Sequence, residues 1–279
     1  MSTVLDHVHR IRRTLGSSPG CVALGFPGAV DPNRGIVLLP GKLSLEGYPV
    51  VPMLHEALRV PVLADNDGRL SILAEAHYGQ ARHHQWAVSI TLGTGVGSGV
   101  MLDGSILRDP HLQFGTQASH IIQQSSSHRR CITRGVGTAN ILCSATALAI
   151  ATRDGLARGL PSMLHGAYHK DPHSIDFKAV IQGATQGDAL CQDTLKQWTL
   201  NLGWFLVSVA HMYAPEIIIL GGGAAAAADH FLPQVRAHVD QHVYRYPAGD
   251  TVPVVVSEFS GYGGVYGAAA LAWERCSRE

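Results

Sequence analysis

The chain has no excess of either charge. Lys plus Arg number 21 and Asp plus Glu number 21, so the formal net charge is +0. That balance argues against the basic face of a nucleic-acid binder. The short cluster Arg10, Arg12 and Arg13 reads instead as the solvated side of a helix. No stretch reaches the roughly 18 consecutive apolar residues that a membrane span needs. The first residues also lack the apolar run of a secretory signal. Cysteines are few, scattered and odd in number: 5, at Cys21, Cys131, Cys143, Cys191 and Cys276. With no C-x-x-C pair among them, they read as the reduced thiols of a cytoplasmic protein and not as a disulfide framework. Two common nucleotide signatures are missing too. No Gly-Lys-Ser/Thr closes a Walker A loop, and no glycine run has the Rossmann spacing.

What is present is a chain of 279 residues and 46% hydrophobic composition, enough for one large domain or two smaller ones. Val4, Leu5, Val8, Ile11 and Leu15 follow helical spacing, which predicts a helix over 2–16. Short apolar strands are expected at Cys21–Phe26, closed by Pro27-Gly28, and at Ile36–Leu39 and Pro61–Ala64. Helices are expected at Val51–Leu58 and over 69–79. Trp86–Leu92 and Gly99–Leu102 read as a hairpin. The segment 105–140 is polar, His- and Ser-rich and irregular. Helices resume over 141–157 and 187–213. A buried-type strand, Glu216–Leu220, runs into Gly221-Gly222-Gly223 and the alanine run Ala224–Ala228, which reads as helix. A strand at Val252–Val256 and a helix at Val265–Trp273 follow. Alternating strands and helices imply an α/β fold.

Two stretches carry chemistry. Asp65-Asn66-Asp67-Gly68 puts a carboxylate and an amide at the end of an apolar strand. About twenty-five residues on, Leu92-Gly93-Thr94-Gly95-Val96-Gly97-Ser98-Gly99 offers accessible backbone N–H groups and a hydroxyl. A base beside a hydroxyl plus a cradle for phosphate is the minimum for phosphoryl transfer. Each has a plainer reading: Asp67 as the N-cap of the next helix, and the glycines as a tight hairpin. Gly221–Gly223 reads either as a nucleotide contact at a helix N-terminus or as a plain strand–helix turn.

Several segments together resemble the ROK family of sugar kinases and sugar-responsive repressors. Asp65-Asn66-Asp67 resembles its E-N-D-A-N segment, and Gly25-Phe26-Pro27-Gly28-Ala29-Val30-Asp31 its G-V-P-G-x-V-D. Residues 92–99 match its phosphate hairpin, Ile219–Gly223 its adenosine-side glycine loop, and Gly264–Ala270 its closing helix. The resemblance implies an actin-like (ribonuclease H-like) two-lobe sugar-kinase fold. The small N-terminal lobe would comprise 1–84 plus 264–279 and the large C-terminal lobe 85–263. It implies Asp67 as catalytic base, with Gly41, Asn66, Gln117, His120 and Asn140 contacting a sugar. Gly93, Thr94, Gly95, Gly97, Gly221, Gly222 and Gly223 would hold ATP with Mg. A homodimer is expected, with a small-molecule sugar as partner, and neither nucleic acid nor membrane.

The departures shape the expectation further. The family's N-terminal Asp-x-Gly-Gly-Thr loop and its strands have no counterpart ahead of the first helix, so the N-terminal lobe is expected to be incomplete. Lys42 replaces a family Trp. Gln117 and Asn140 replace two sugar-gripping glutamates. Amides bind hydroxyls, but charge-assisted bonds are roughly twice as strong. The family zinc pattern C-x-C-G-x-x-G-C-x-E falls on 131–140, where only Cys131 remains. Cys131, His120 and at most His128 fall short of four ligands, so no structural zinc is expected. Two functions follow: an ATP-dependent kinase of a hexose or N-acetylhexosamine, or a catalytically impaired sugar-binding sensor or regulatory partner.

Overall fold

The computed structural model describes residues 2–39, 47–131, 133–247 and 249–276. In chain order the elements are α1 (Ser2–Leu15), β1 (Val22–Phe26), β2 (Ala29–Asp31), β3 (Ile36–Leu39), α2 (Val50–Leu58), β4 (Val62–Asn66), α3 (Asp67–Tyr78), β5 (Ala87–Leu92), β6 (Val96–Leu102) and β7 (Ser105–Ile106). They continue with α4 (Ala139–Cys143), α5 (Ala145–Ala157), α6 (His165–Lys170), α7 (Phe177–Thr185), α8 (Ala189–Tyr213), β8 (Ile217–Gly221), α9 (Leu232–His242), β9 (Val254–Val256) and α10 (Gly263–Cys276).

Among the described residues the strands form three sheets. The largest has the order β7-β6-β5-β8-β9, with β5, β8 and β9 mutually parallel and β6 antiparallel to β5. The run Ile217-Ile218-Ile219-Leu220 is buried throughout, as expected of a parallel strand covered on both faces. One face carries the main core, where Phe205, Leu206 and Leu202 of α8 meet Ile218, Leu220 and Val88. Trp198 belongs to that core, and its indole Nε1 donates to the carbonyl of Ser144 at 2.9 Å, which satisfies its buried polar atom. A second core joins α1, α2, β3 and β4 through Val8, Leu54, Leu58, Val37 and Val62. Leu54 is fully buried there, and burying such a side chain contributes about 1.5–3 kcal/mol.

α3 lies between the two regions and has no solvent face over most of its length: residues 68–75 are all buried. A helix enclosed on all sides does not show an amphipathic stripe. On one side Ser71 and Ser89 of β5 share a hydroxyl hydrogen bond of 2.8 Å. On the other, Leu70 and Leu73 pack against Ala270 and Leu271 of α10. Two glycines permit this closeness. A Cβ on Gly99 of β6 would stand 2.1 Å from the Gly68 carbonyl oxygen, and one on Gly267 of α10 only 1.8 Å from that of Leu70.

The expected elements are found with small shifts. β4 runs to Asn66, two residues past the expected end, and β6 starts at Val96, inside the glycine stretch. The alanine run lies in a 3₁₀ segment, Gly223–His230, with a break at Ala227 (φ −109°, ψ 23°). Phe231 ends that segment fully buried, so packing, and not alanine propensity, sets its geometry.

Candidate active site

The strand-to-helix junction β4–α3 is built around Asn66. Its backbone is extended (φ −66°, ψ 140°), and its Oδ1 accepts from the N–H groups of Gly68 at 2.9 Å and Arg69 at 3.1 Å. That makes Asn66 the N-cap. Its Nδ2 donates to the carbonyl of Gly28 at 2.8 Å and to Asp67 Oδ1 at 3.2 Å. One amide therefore ties the Pro27-Gly28 turn, the start of α3 and the neighbouring carboxylate together. The cap reading given to Asp67 from the sequence belongs to Asn66.

Asp67 is left with an accessible carboxylate. It lines a crevice of about 910 Å³ with Gly25, Gly261, Gly264 and Val265. Its tip is open to solvent, yet protein atoms crowd around it. This burial pushes the carboxyl up from its ordinary 3.8, against opposing hydrogen bonds led by the Gly68 N–H. A carboxylate raised toward neutrality is a better proton acceptor than an ordinary aspartate.

The glycine hairpin between β5 and β6 is pinned from two directions. The carbonyl of Gly93 accepts from the N–H of Ala145 at the start of α5 (2.9 Å), and the N–H of Val96 donates to Asn140 Oδ1 (2.9 Å). Thr94 is exposed at the tip. The glycines divide into two kinds. A Cβ on Gly97 would stand 2.4 Å from Thr91 Oγ1, and one on Gly95 2.8 Å from Asn140 Oδ1, so both serve close packing. Gly222, at φ +83°, sits with its Cβ position 2.5 Å from the Leu92 carbonyl oxygen, so its loop lies against the end of β5. Gly93 and Gly223, by contrast, have nothing closer than 4.0 Å and face open space. Gly221 ends β8 in register with Thr91. Two glycine turns thus lie side by side at the carboxyl ends of the parallel strands β5 and β8, where α/β sheets place ligands.

The second glycine loop is joined to the rim of the Asp67 crevice by one hydrogen bond. The Gly222 N–H donates to the carbonyl of Ser260 (3.3 Å), and the next residue, Gly261, lines the Asp67 crevice. Ser98 is the second junction. A Cβ on Gly68 would stand 2.1 Å from the Ser98 carbonyl oxygen. The Ser98 hydroxyl donates to the carbonyl of Gly115 (2.8 Å) and accepts from the N–H of Ala118 (3.3 Å). The start of α3 and the segment carrying Gln117 therefore hang on one residue of β6. Ser98 sits three residues beyond Gly95, about 10 Å at strand spacing.

Gln117 is half-buried and precedes the 3₁₀ turn Ala118–His120. His120 Nδ1 lies 3.4 Å from Thr133 Oγ1, which is 2.9 Å from Cys131 Sγ. Burial holds the His120 imidazole below its ordinary value, so it is neutral at pH 7. Burial also raises the Cys131 thiol, but hydrogen bonds led by Thr133 outweigh it and leave the thiol below its ordinary value. A Cβ on Gly135 would meet Thr138 Cγ2 at 2.8 Å and Cys131 Sγ at 3.2 Å, so Thr138 shares the cluster. Thr133 and Thr138 stand where the ROK pattern has cysteines, while His128 is exposed. Two neutral hydroxyls do not complete a zinc shell of thiolate and imidazole. Among the described residues no group of three or more His, Cys, Asp or Glu could hold a metal ion. Gly41 and Lys42 lie outside the described residues.

The junction residues Ser98, Gly261 and Thr133 escaped the sequence reading. Only their neighbourhood to the glycine and cysteine motifs could have marked them.

The mixed α/β fold, with its parallel strands β5, β8 and β9, matches ROK sugar kinase structures and is of the actin-like ATPase type. The ROK glucokinase of Streptomyces griseus, solved with glucose and AMPPNP, superposes with a TM-score of 0.84 at 22% identity, over 98% of this chain and 88% of that one. The chain belongs to the ROK family, whose model matches residues 1–275. It is 29% identical to a glucokinase of Thermotoga maritima over 97% of this chain and 86% of that protein. It is also 26% identical to the DNA-binding transcriptional repressor Mlc of Escherichia coli, over 90% of this chain but 60% of the repressor.

Proposed function

We propose that this protein is an ATP-dependent sugar kinase that phosphorylates a hydroxyl of a hexose or N-acetylhexosamine. The observation that carries the reading is Asp67. Asn66 takes over the capping, and Asp67, whose Oδ1 accepts from Asn66 Nδ2 and the Gly68 N–H, stands at a crevice with burial raising its carboxyl above the ordinary value. The acceptor hydroxyl donates a hydrogen bond to Asp67, which orients the oxygen and takes its proton as the oxygen attacks. ATP, with Mg²⁺ on its phosphates, supplies the transferable phosphoryl group. Thr94 and Gly95 cradle its phosphates through backbone N–H groups and one hydroxyl, the Gly93 N–H being donated to the Gly95 carbonyl at 2.9 Å, and Gly221–Gly223 receive the nucleoside side.

Asn66, with both polar atoms engaged, positions Asp67 and is not itself a sugar ligand. Gln117, the neutral His120 and the free Nδ2 of Asn140 offer uncharged hydrogen bonds to sugar hydroxyls, which favours a neutral sugar. The protein works in the cytoplasm, where its thiols stay reduced.

An ADP-release assay over glucose, mannose, N-acetylglucosamine and N-acetylmannosamine tests the reading, with Asp67→Asn as control. Turnover on at least one sugar, lost in the variant, is expected. No turnover on any sugar overturns it, as does equal turnover in the variant. Saturable sugar binding without turnover would assign the chain to a sensing role.

A further inference from the structure

Asp65, two residues before the candidate base, is 1% exposed, and both of its oxygens are engaged. Oδ1 accepts from the N–H of Asn66 at 2.8 Å and from Arg69 Nη1 at 3.4 Å, and Oδ2 accepts from Arg108 Nη2. Asn66 in turn caps α3 and donates to Asp67 Oδ1. The two arginines differ in what they join. Arg69 is also 1% exposed and stands on α3, four residues from Asp65, so its bond links near neighbours. Arg108 comes from beyond β7, forty-three residues along the chain, and its side chain is 29% exposed.

Arg108 stands at the head of the segment that runs to Gln117 and His120. Beside it, the Asp109 carboxylate accepts from the N–H groups of His111, Gln113 and Phe114, which folds the next residues into one turn. The far end of the segment rests on the large sheet and its core. The Ser98 hydroxyl of β6 bonds Gly115 and Ala118, and the Phe114 ring meets Tyr213 of α8 edge-on at 5.9 Å. Arg108 ties the near end to β4, which belongs to a different sheet, paired with β1. A bond from a guanidinium to an enclosed carboxylate is charge-assisted and only weakly screened by salt. Removing one partner of a buried pair ordinarily strands the other charge. Here Asp65 would keep Arg69 and the Asn66 N–H, so loss of Arg108 leaves no bare carboxylate. The Arg108 bond is spare for the fold and specific to the placement of the segment.

We infer that Arg108 is a positioning residue of the candidate sugar site: through Asp65 it holds the segment bearing Gln117 and His120 against the β4–α3 junction bearing Asp67. Its consequence for turnover rests on the kinase reading; the tie itself does not. With the tie cut, Asn66 still orients Asp67, while Gln117 and His120 lose their fixed distance from it. Sugar binding is then weakened more than the chemical step.

Steady-state kinetics of Arg108→Gln test the effect on turnover. KM for the sugar should rise at least about tenfold, the scale of one or two lost hydrogen bonds, with kcat within about threefold of the unaltered protein. Arg108→Lys should bring KM back to within about threefold, because the observed bond uses a single N–H group, which an ammonium can supply. Hydrogen exchange followed by mass spectrometry, on the intact protein without ligand, tests the tie independently of turnover. Amides of 109–118 should exchange at least about tenfold faster in Arg108→Gln, with those of β5 unchanged. Unchanged exchange over 109–118 overturns the inference, as does an unchanged KM. So do an equal loss in kcat and KM, a Lys variant that behaves like the Gln variant, or an Arg108→Gln chain that does not fold, since each marks a general structural role. If the unaltered protein turns over no sugar, the kinase reading fails by itself and the exchange result decides: faster exchange over 109–118 upholds the tie, and unchanged exchange overturns it.

Discussion

Two regions of the candidate site hold their shape by different means. Around Asp67, backbone rests on backbone: Gly68 meets Ser98, Gly99 meets Gly68, and Gly222 meets Leu92. Around 117–140, side-chain bonds join the backbone ones: Ser98 to Gly115 and Ala118, Cys131 to Thr133 and Asn140 to Val96 stand beside the N–H of Gln123 on Gly137 and of Cys131 on Gly135. Backbone contacts admit almost no substitution, because any Cβ collides with atoms that have nowhere to go. Side-chain contacts admit exchange of partners so long as some hydrogen bond or metal bond closes the loop. Motifs near Asp67 resemble the ROK pattern closely, while the stretch 131–140 carries threonines and an asparagine at the pattern's cysteine and glutamate positions.

The comparison can be broken at Asp67 first. Asp67→Asn should lower kcat by at least about 10²-fold, the scale of a lost general base, with little change in melting temperature. A drop below tenfold in steady-state turnover would remove Asp67 from the chemistry. The pH profile sharpens the same point. The base works only when ionised, and burial raises its pKa above the ordinary 3.8. Activity should therefore fall on acidification at a higher pH than an ordinary aspartate would give. An acid limb at or below the ordinary value would contradict the crowding.

Next in size is the backbone contact. Gly99→Ala drives a methyl into the Gly68 carbonyl, 2.1 Å from the Cβ position. Overpacking of this kind costs about 1–3 kcal/mol, to be read from urea denaturation. Gly95→Ala meets a side chain, Asn140, and should cost less than Gly99→Ala; the reverse order would undo the distinction between the regions. Smallest is Thr133→Val, which removes one hydrogen bond from Cys131 and should cost about 0.5–1.5 kcal/mol. Because that bond holds the thiol below its ordinary value, its loss should slow alkylation of Cys131 by iodoacetamide near pH 8. An unchanged rate, with Cys131 modification followed by mass spectrometry, would discard the hydrogen-bonded cluster.

Much of the fold was legible because its signals are local. Alternating apolar runs and turn residues marked the strands β1, β4, β5 and β8 and the helices α1, α2 and α8 within a few residues. The alanine run misled, since high helix propensity yielded to the packing of Phe231. The positions of the site were legible through glycine and Asp-Asn-Asp spacing, but the tasks of individual groups were not. Asn66 caps α3 and bonds Gly28, thirty-eight residues away. Asn140 secures Val96 across forty-four. Arg108 reaches Asp65 across forty-three.

The sequence by itself determined the order of strands and helices, the two glycine turns and membership of a family, because each rests on short-range periodicity and on residues that suit only certain backbone shapes. Tertiary structure alone decided which polar groups are already engaged and which stand free. A hydrogen bond or ion pair depends on atoms meeting in space, and the partners of Asn66, Asn140 and Asp65 come from segments far apart along the chain. That is how Asp67 and Arg69, two residues apart, came to differ, the one exposed and the other enclosed against Asp65.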